Sequence, residues 1–234
     1  MHRFHDKLIE VRDRVQRAAE QAGRPPQDIT ILAVSKTQSA ARVREAVAAG
    51  QGCFGENYLQ EALDKQAELE DLNIDWHFIG PIQSNKTKAI AEHFAWVHSL
   101  DRLKIAQRLH DQRPTNLPPL KVCLQINIDN EASKSGLVAN QAATVAQAIL
   151  DLPRLQLMGL MAIPAPRTDF HAQVAVFQQI HDLRDKLQQQ LGHSLPTLSM
   201  GMSADLEAAI AAGATIVRIG TDLFGVRQSA ATNR

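Results

Sequence analysis

The feature that most constrains the fold is a regular alternation between short apolar runs and longer stretches of helical periodicity. Nearly all consecutive runs are separated by a predicted helix, and several of these helices end at glycine. Eight runs rich in Ile, Val, Leu and Phe predict strands, at residues 29–35, 53–56, 76–80, 96–100, 121–127, 156–163, 197–201 and 215–220. Such alternation is typical of a parallel sheet with helical crossovers.

The number of strand–helix units favours a closed barrel over an open sheet. Eight units in 234 residues come close to the ~250 residues typical of a (β/α)8 barrel. The alternative, an open doubly wound sheet, requires a glycine-rich phosphate turn after its first strand, and residues 33–39 contain no glycine. We therefore predict an α/β fold, a single (β/α)8 TIM-type barrel domain over residues 1–234.

An additional helix is predicted before the barrel. Phe4, Leu8, Val11 and Val15 recur at helical spacing, and Gly23 is the expected end of the helix. This amphipathic pattern differs from a secretory signal peptide, which carries a continuous apolar segment.

Composition indicates an ordinary globular protein. Lys and Arg together number 25 and so do Asp and Glu, which gives a formal net charge of zero and no global field to attract nucleic acid or anionic lipid. No apolar run approaches the ~20 residues needed to span a bilayer. Cys53 and Cys123 lack CxxC or zinc-site spacing, and the histidines form no HExxH motif. We expect a cytoplasmic protein with no metal, no nucleic-acid partner and no membrane attachment.

Lys36 is the first candidate for chemistry, because it follows directly on the apolar run that ends near Val34. In a (β/α)8 barrel the active face lies at the carboxyl ends of the strands. Partial desolvation there would disfavour the charged ammonium, and a neutral amine can attack a carbonyl to form an imine. The alternative is a strand that simply leaves the core, with Lys36 in solvent.

The loops after the seventh and eighth strands are the second candidate region. Gly201 and Ser203 separate the seventh strand from a helix, and Gly220 and Thr221 follow the eighth strand. Small residues let backbone N–H groups approach a ligand, and these loops are the common phosphate site of such barrels. An imine-forming lysine opposite a dianion site fits a phosphorylated aldehyde. Ser203 also has a simpler interpretation, as a helix N-cap.

Arg218 shares a strand face with Gly220, two residues on, and is placed to reach the middle of the barrel mouth. An arginine is effectively always protonated, so it can only donate to a pyridine nitrogen and would weaken the electron-sink capacity of the ring. A salt-bridged barrel arginine is the competing interpretation.

Several longer strings together resemble the pyridoxal phosphate homeostasis protein family over roughly residues 29–225. They are AVSKT, FGENYLQE, WHFIGPIQSNK, SKSG, GLMAIP, LSMGMSADLEAAIAAG and VRIGTDLFG. This family is related to the barrel domain of bacterial alanine racemases. The resemblance implies fold type III of pyridoxal 5′-phosphate (PLP) proteins, here without the C-terminal β domain of the racemases.

The resemblance also implies roles for particular residues. Lys36 would hold PLP as a Schiff base, Ser203, Gly220 and Thr221 would hold its phosphate, and Arg218 would face the pyridine nitrogen. The remaining expected pocket residues are Asn57, His77 and Met200. The family often has a second lysine two positions after the first, where this chain has Gln38.

Three functions are compatible with these residues. The first is a PLP-binding protein that buffers or delivers the cofactor, in transient contact with PLP-dependent apo-enzymes and without robust catalysis of its own. The second is a PLP-dependent, racemase-like enzyme of unknown substrate. The third is a Schiff-base aldolase acting on a sugar phosphate, ranked last because SKTQS offers no nearby carboxylate.

The racemase hypothesis meets a specific difficulty, because racemisation needs a base on each face of the intermediate. The resemblance places the second base of racemases, a tyrosine, in the β domain, for which we expect no room before Arg234. The one tyrosine, Tyr58, lies early in the chain, and Ile163 stands near the end of the sixth strand, where racemases tend to have a histidine. Lys134 is either a second PLP contact, a cation at the pocket rim or a solvated loop residue. We expect a monomer.

Overall fold

The computed structural model describes residues 4–129, 131 and 135–225. The strands are β1 Thr30–Val34, β2 Cys53–Glu56, β3 Asp75–Phe78, β4 Trp96–Leu100, β5 Leu120–Ile126, β6 Leu155–Ala162, β7 Thr197–Ser199 and β8 Ile216–Ile219. The α-helices are α1 Phe4–Gln21, α2 Ala40–Ala48, α3 Leu59–Glu68, α4 Thr87–His93, α5 Leu103–Gln112, α6 Ala142–Leu150, α7 Phe170–Leu191, α8 Leu206–Ala211 and α9 Thr221–Phe224.

The strands form a closed parallel barrel in chain order, in which β1 pairs with both β2 and β8. Thr30 lies opposite Ile216 where the barrel closes. The predicted (β/α)8 fold is therefore confirmed, and all the carboxyl ends of the strands meet at one rim. Local capping agrees with the sequence: the side chain of Asp169 accepts a hydrogen bond from the N–H of Ala172 at the start of α7.

The predicted N-terminal helix exists and belongs to the helical ring. The last helix within the described residues, α9, is a single turn and is too short to cover the barrel between α8 and α2. The eighteen-residue α1 packs against α8, α9 and α2 and fills this gap. Its buried face includes Phe4, Leu8, Val11 and Val15, as the helical spacing predicts, and the Phe4 ring lies 5.1 Å from that of Phe224 on α9.

The main hydrophobic core lies between the strands and the helices. A smaller apolar cluster of Trp96, Cys123 and Met161 comes from three successive strands, β4, β5 and β6. Burial raises the pKa of the Cys123 thiol to about 12, so this cysteine is inert at neutral pH. The barrel interior also holds polar side chains, which are described below.

Candidate functional site

Lys36 lies at the carboxyl rim of the barrel, two residues beyond the end of β1. Together with Val34, Gly220 and Thr221 it lines a cavity of about 60 Å³. Gln38, at the position where the resembling family often has a second lysine, lines the same cavity. The fold therefore brings the lysine after the first strand against the loop that follows the eighth.

The backbone around Lys36 is held by a buried ionic network. The Lys65 ammonium lies 2.6 Å from Glu56 Oε1 and 2.7 Å from Glu61 Oε1, and it donates to the carbonyl of Ser35 over 2.7 Å. Glu61 also accepts a hydrogen bond from the N–H of Thr37. Both neighbours of Lys36 in the chain are thus tied to one ammonium–carboxylate cluster.

This network also explains an unusual backbone conformation. Thr37 has φ of +65°, in the left-handed region that a β-branched residue rarely adopts. Strain of this kind persists only where the surroundings enforce it, and it is concentrated at functional sites. Burial raises the pKa of Glu56, and the charge and hydrogen bond of Lys65 oppose that rise only in part.

Sequence reasoning missed this network, although one signal was present. Glu61 and Lys65 are four residues apart in the predicted third helix, the spacing of a helical ion pair. Such a pair is normally on the solvated surface. Here the side chain of Lys65 is only 5% exposed and that of Glu56 is fully buried, which the spacing alone cannot reveal.

The loops after β7 and β8 are joined by hydrogen bonds. The hydroxyl of Ser203 accepts a long, 3.4 Å hydrogen bond from the N–H of Asp222, so Ser203 lies beside the start of α9. Gly201 has φ of +92°, and a Cβ there would come within 2.5 Å of the Ala209 Cβ. Only glycine permits this close approach of the loop to α8.

Arg14 of α1 fixes both loops from outside the barrel. Its guanidinium donates to both carboxylate oxygens of Glu207, at 2.8 and 3.0 Å, to the carboxylate of Asp222, and to the carbonyl of Ser203 at 3.0 Å. The forked guanidinium suits such multiple contacts, which give geometric specificity as well as energy. The N-terminal helix therefore supports the candidate phosphate loops directly.

Arg218 points into the barrel and is almost fully buried. Its Nη1 donates to Ser199 Oγ and its Nη2 to the carbonyl of Ala162, each over 2.9 Å. Burial lowers its pKa to about 10, and nearby Asp205 opposes that effect, so the guanidinium stays charged at neutral pH. Among the described residues Arg218 has no salt bridge, contrary to the competing interpretation. Its hydrogen bonds go to a hydroxyl and to backbone carbonyls.

From Arg218 a polar chain crosses the barrel interior. Ser199 Oγ lies 2.7 Å from His98 Nδ1, and His98 Nε2 lies 2.8 Å from His77 Nδ1. The His77 ring stacks on Trp96 at a centroid distance of 5.2 Å. Burial lowers the pKa of both His77 and His98, so both imidazoles are neutral at neutral pH.

The structure therefore gives His77 a setting that differs from the expected pocket lining. Its contacts are with Asp75, Trp96 and His98, and it does not line the cavity beside Lys36. The strand position was readable from the sequence. The direction in which the imidazole makes its contacts depends on His98 and Trp96, which lie on another strand.

Asn57 lies at the same rim as Lys36 but borders a different cavity, of about 260 Å³, at the ends of β2, β3, β5 and β6. Its side-chain Oδ1 is buried without a hydrogen-bond partner. Gly80 makes this arrangement possible, because a Cβ there would fall 2.1 Å from the carbonyl oxygen of Asn57. Ile163 lines this second cavity too.

The expected site residues thus fall into three groups. One cavity is lined by Lys36, Gly220 and Thr221. Ser203 lies next to it, because its hydroxyl accepts a hydrogen bond from Asp222, the residue after Thr221. Asn57 lines the neighbouring cavity. Met200 is fully buried, directly after β7. Arg218 and His77 lie in the barrel interior. Their partners there, Ser199 and His98, were not predicted from the sequence. Lys134 lies outside the described residues.

Comparison with known proteins places these features in context. A sequence profile described as "Alanine racemase, N-terminal domain" matches residues 7–228. A protein of Pseudomonas aeruginosa named "Pyridoxal phosphate homeostasis protein" is 60% identical over 227 residues, covering 97% of both chains. A protein of the same name from Escherichia coli K12 is 51% identical over 230 residues, covering 97% of this chain and 98% of that one.

Solved structures give the same picture. PipY of Synechococcus elongatus PCC7942, solved with PLP bound, is 39% identical with a TM-score of 0.79, covering 91% of this chain and all of PipY. Alanine racemase from Corynebacterium glutamicum is 18% identical with a TM-score of 0.65, covering 94% of this chain and 62% of that enzyme, a likeness of fold alone. Among the described residues, no helix is both long enough and apolar enough to cross a membrane.

Proposed function

The chain belongs to the pyridoxal phosphate homeostasis protein family, and from that premise we propose that it binds PLP at the carboxyl end of its barrel. The observation that carries the proposal is the cavity where Lys36 meets Gly220 and Thr221. A relative 39% identical was solved with PLP bound. The expected resemblance to this family is confirmed by the comparisons.

The groups around the cavity fit the chemistry of PLP. When bound, PLP supplies an aldehyde that reacts with amines and a phosphate that binds to hydroxyls and backbone N–H groups. Lys36 would hold the cofactor covalently through its amine. The phosphate would be held by Ser203, Gly220 and Thr221. The cavity there, about 60 Å³, is several times the roughly 10–15 Å³ that one water molecule needs.

Arg218 is assigned to the pyridine nitrogen. Its Nη1 and Nη2 are fixed by Ser199 and Ala162, so the guanidinium is held in one orientation. None of its hydrogen bonds to the described residues goes to a carboxylate. A protonated arginine donates a hydrogen bond and gives the ring no proton, which weakens the ring as an electron sink. This favours reversible binding of PLP over turnover of a substrate.

The wider pocket follows from the same placement. Asn57 would line the part of the mouth next to the 260 Å³ cavity. Met200, fully buried below the loop after β7, would support the floor. His77 is left out of the proposed PLP contacts, because its two ring nitrogens face His98 and Asp75.

The cellular role that suits such a site is storage and delivery of PLP rather than catalysis. In this proposal the protein is a cytoplasmic monomer that keeps the reactive aldehyde bound and releases it in transient contact with PLP-dependent apo-enzymes. The names of the relatives support a role in homeostasis. A racemase-like activity would instead require a second base on the far face of the cofactor.

The test is addition of PLP to the purified apo-protein, removal of free PLP by gel filtration, and measurement of visible absorbance. Wild-type protein should retain one PLP per chain and a visible band that borohydride bleaches. Peptide mass spectrometry after borohydride reduction should locate the pyridoxyl group at Lys36. The Lys36→Ala variant should retain no visible band.

Lys88→Ala is the matched control, because the side chain of Lys88 is 72% exposed on α4 and pairs only loosely with Glu92, at 3.8 Å. It should bind PLP as wild type does. Label on another lysine, or a band that persists in Lys36→Ala, would refute the assignment of Lys36. Exchange of an amino acid α-proton in deuterated buffer at enzyme-like rates would refute the non-catalytic role and favour the racemase-like alternative.

A further inference from the structure

Three potential metal ligands meet at the amino end of the barrel, opposite the proposed PLP site. Cys53 and Asp75 are the first residues of β2 and β3 and lie side by side in the sheet. His77 is two residues after Asp75 and so shares its face of the strand. One ligand atom from each residue lies within 4.8 Å of the other two.

A second observation points to a ligand at this place. His77 is only 2% exposed, yet its Nε2 is buried without a hydrogen-bond partner. Asp75 Oδ2 lies 3.4 Å from it, an electrostatic contact that acts on both pKa values but is too poorly aligned for a standard hydrogen bond. A buried polar atom of this kind costs free energy unless something else satisfies it, and its neighbours are a thiol and a carboxylate.

We propose that Cys53, Asp75 and His77 form a binding site for a transition-metal dication of the zinc class. Sulfur, imidazole nitrogen and carboxylate oxygen are the ligands that Zn²⁺ takes in proteins, whereas Ca²⁺ and Mg²⁺ prefer oxygen alone. The sequence predicted no metal, since the ligands lie on two strands and form no short motif. The inference does not depend on PLP binding at the other end.

The distances allow such a site with small side-chain movements. Zinc bond lengths of about 2.0–2.3 Å in a tetrahedron place neighbouring ligand atoms roughly 3.3–3.7 Å apart. The nitrogen of His77 and the oxygen of Asp75 already lie 3.4 Å apart. The side chain of Asp75 is 42% exposed, so a metal can enter from solvent, and water can take the fourth position.

The groups behind His77 match those of metal-bound histidines. A ligating histidine donates its other N–H to a hydrogen-bond acceptor, which fixes the tautomer. The Nδ1 of His77 lies 2.8 Å from His98 Nε2, and His98 Nδ1 lies 2.7 Å from Ser199 Oγ. In one arrangement of protons, His77 Nδ1–H donates to His98 Nε2 and His98 Nδ1–H donates to Ser199 Oγ. The two lone pairs of Ser199 Oγ then accept from His98 and from Arg218, and the lone pair of His77 Nε2 is left for the metal.

A nearby positive charge, that of Lys121, opposes metal binding and provides a further test. Lys121 lies over the Trp96 ring, 5.1 Å from its centroid, and its positive charge acts on Cys53, Asp75 and His77. A cation there weakens binding of a dication. Removal of this charge should therefore strengthen metal binding, an effect that a merely structural cluster would not show.

The experiment is titration of the metal-free protein with Co²⁺, followed by visible and near-ultraviolet absorbance. We expect one Co²⁺ per chain with tetrahedral d–d bands and a thiolate-to-cobalt charge-transfer band, and displacement by Zn²⁺. Cys53→Ser should abolish the charge-transfer band. Asp75→Asn, at a half-exposed residue that should tolerate the change, should weaken Co²⁺ binding about tenfold or more, since loss of even a supporting group costs about 10–100-fold.

Cys123→Ala is the matched control, because it removes the other cysteine, which lies outside the cluster, and it should keep the spectrum of wild type. Lys121→Met should bind Co²⁺ several-fold more tightly. The proposal fails if wild type gives no charge-transfer band, if the band survives in Cys53→Ser, or if it is lost in Cys123→Ala. Circular dichroism of each metal-free variant confirms that it is folded.

Discussion

Replacement of Lys65 by methionine tests whether the buried network holds Lys36 in place. The Lys65 ammonium contacts two carboxylates at 2.6 and 2.7 Å and one backbone carbonyl at 2.7 Å. Methionine fills a similar volume and makes none of these bonds. The carboxylate of Glu56, fully buried, would lose the ammonium with which it pairs.

The magnitude follows from this burial. Breaking a buried ion pair by removing one partner costs about 3–5 kcal/mol, because the other charge is left in a low-dielectric site. Total stabilities are about 5–15 kcal/mol, so the loss is severe. At about 2–4 °C per kcal/mol for a chain of this size, the melting temperature should fall by about 6–20 °C. Affinity for PLP should fall too, since Ser35 loses its bond from Lys65 and Glu61, which accepts from Thr37, loses its cation.

Thermal and urea unfolding measure this loss, and a double-mutant cycle isolates the charge. Glu56→Gln combined with Lys65→Met removes both charges and should recover at least about 1 kcal/mol relative to Lys65→Met alone, within the range of coupling for contacting residues. A loss below about 1 kcal/mol in Lys65→Met, or no recovery in the double variant, would show that the network does not stabilise the turn at Lys36.

Three further outcomes are expected. Arg14→Ala should lower the free energy of unfolding by only about 1–2 kcal/mol, because water screens a partly exposed ionic cluster. It should also weaken PLP binding when stability and affinity are measured on one preparation, with Arg12→Ala as the control. Unchanged PLP affinity would contradict a role for α1 at the phosphate loops. Gly80→Ala should unfold at a clearly lower temperature, because its Cβ would fall 2.1 Å from a backbone oxygen; a wild-type melting curve would disprove that contact. Because burial raises the pKa of Glu56, the folded state holds the carboxyl proton more tightly than the unfolded chain does. Wild type should therefore lose stability relative to Glu56→Gln as pH rises from about 4.3 through the raised pKa. A stability difference between the two proteins that does not change with pH in urea unfolding would refute this assignment.

How much of the candidate site could be predicted depended on whether each residue was placed by its own strand or by others. Lys36, Gly220 and Thr221 follow the ends of their strands, and the barrel topology brings those ends together at one rim. Their contribution to one cavity was therefore expected from the sequence, while their contacts with PLP remain predictions. His77 was assigned to the same rim, but its hydrogen bonds lead to His98 and away from Lys36.

The sequence by itself determined the barrel, because strand and helix periodicities are local and their repetition leaves few ways to pack. It also determined the family and the rim position of Lys36. Only the tertiary structure decided that α1 completes the helical ring, that Lys65 is buried, and that Ser199 meets His98 from 101 residues away. The physical reason is that hydrogen bonds across a closed barrel join strands distant in the chain, and neither spacing nor composition encodes which side chains will meet there.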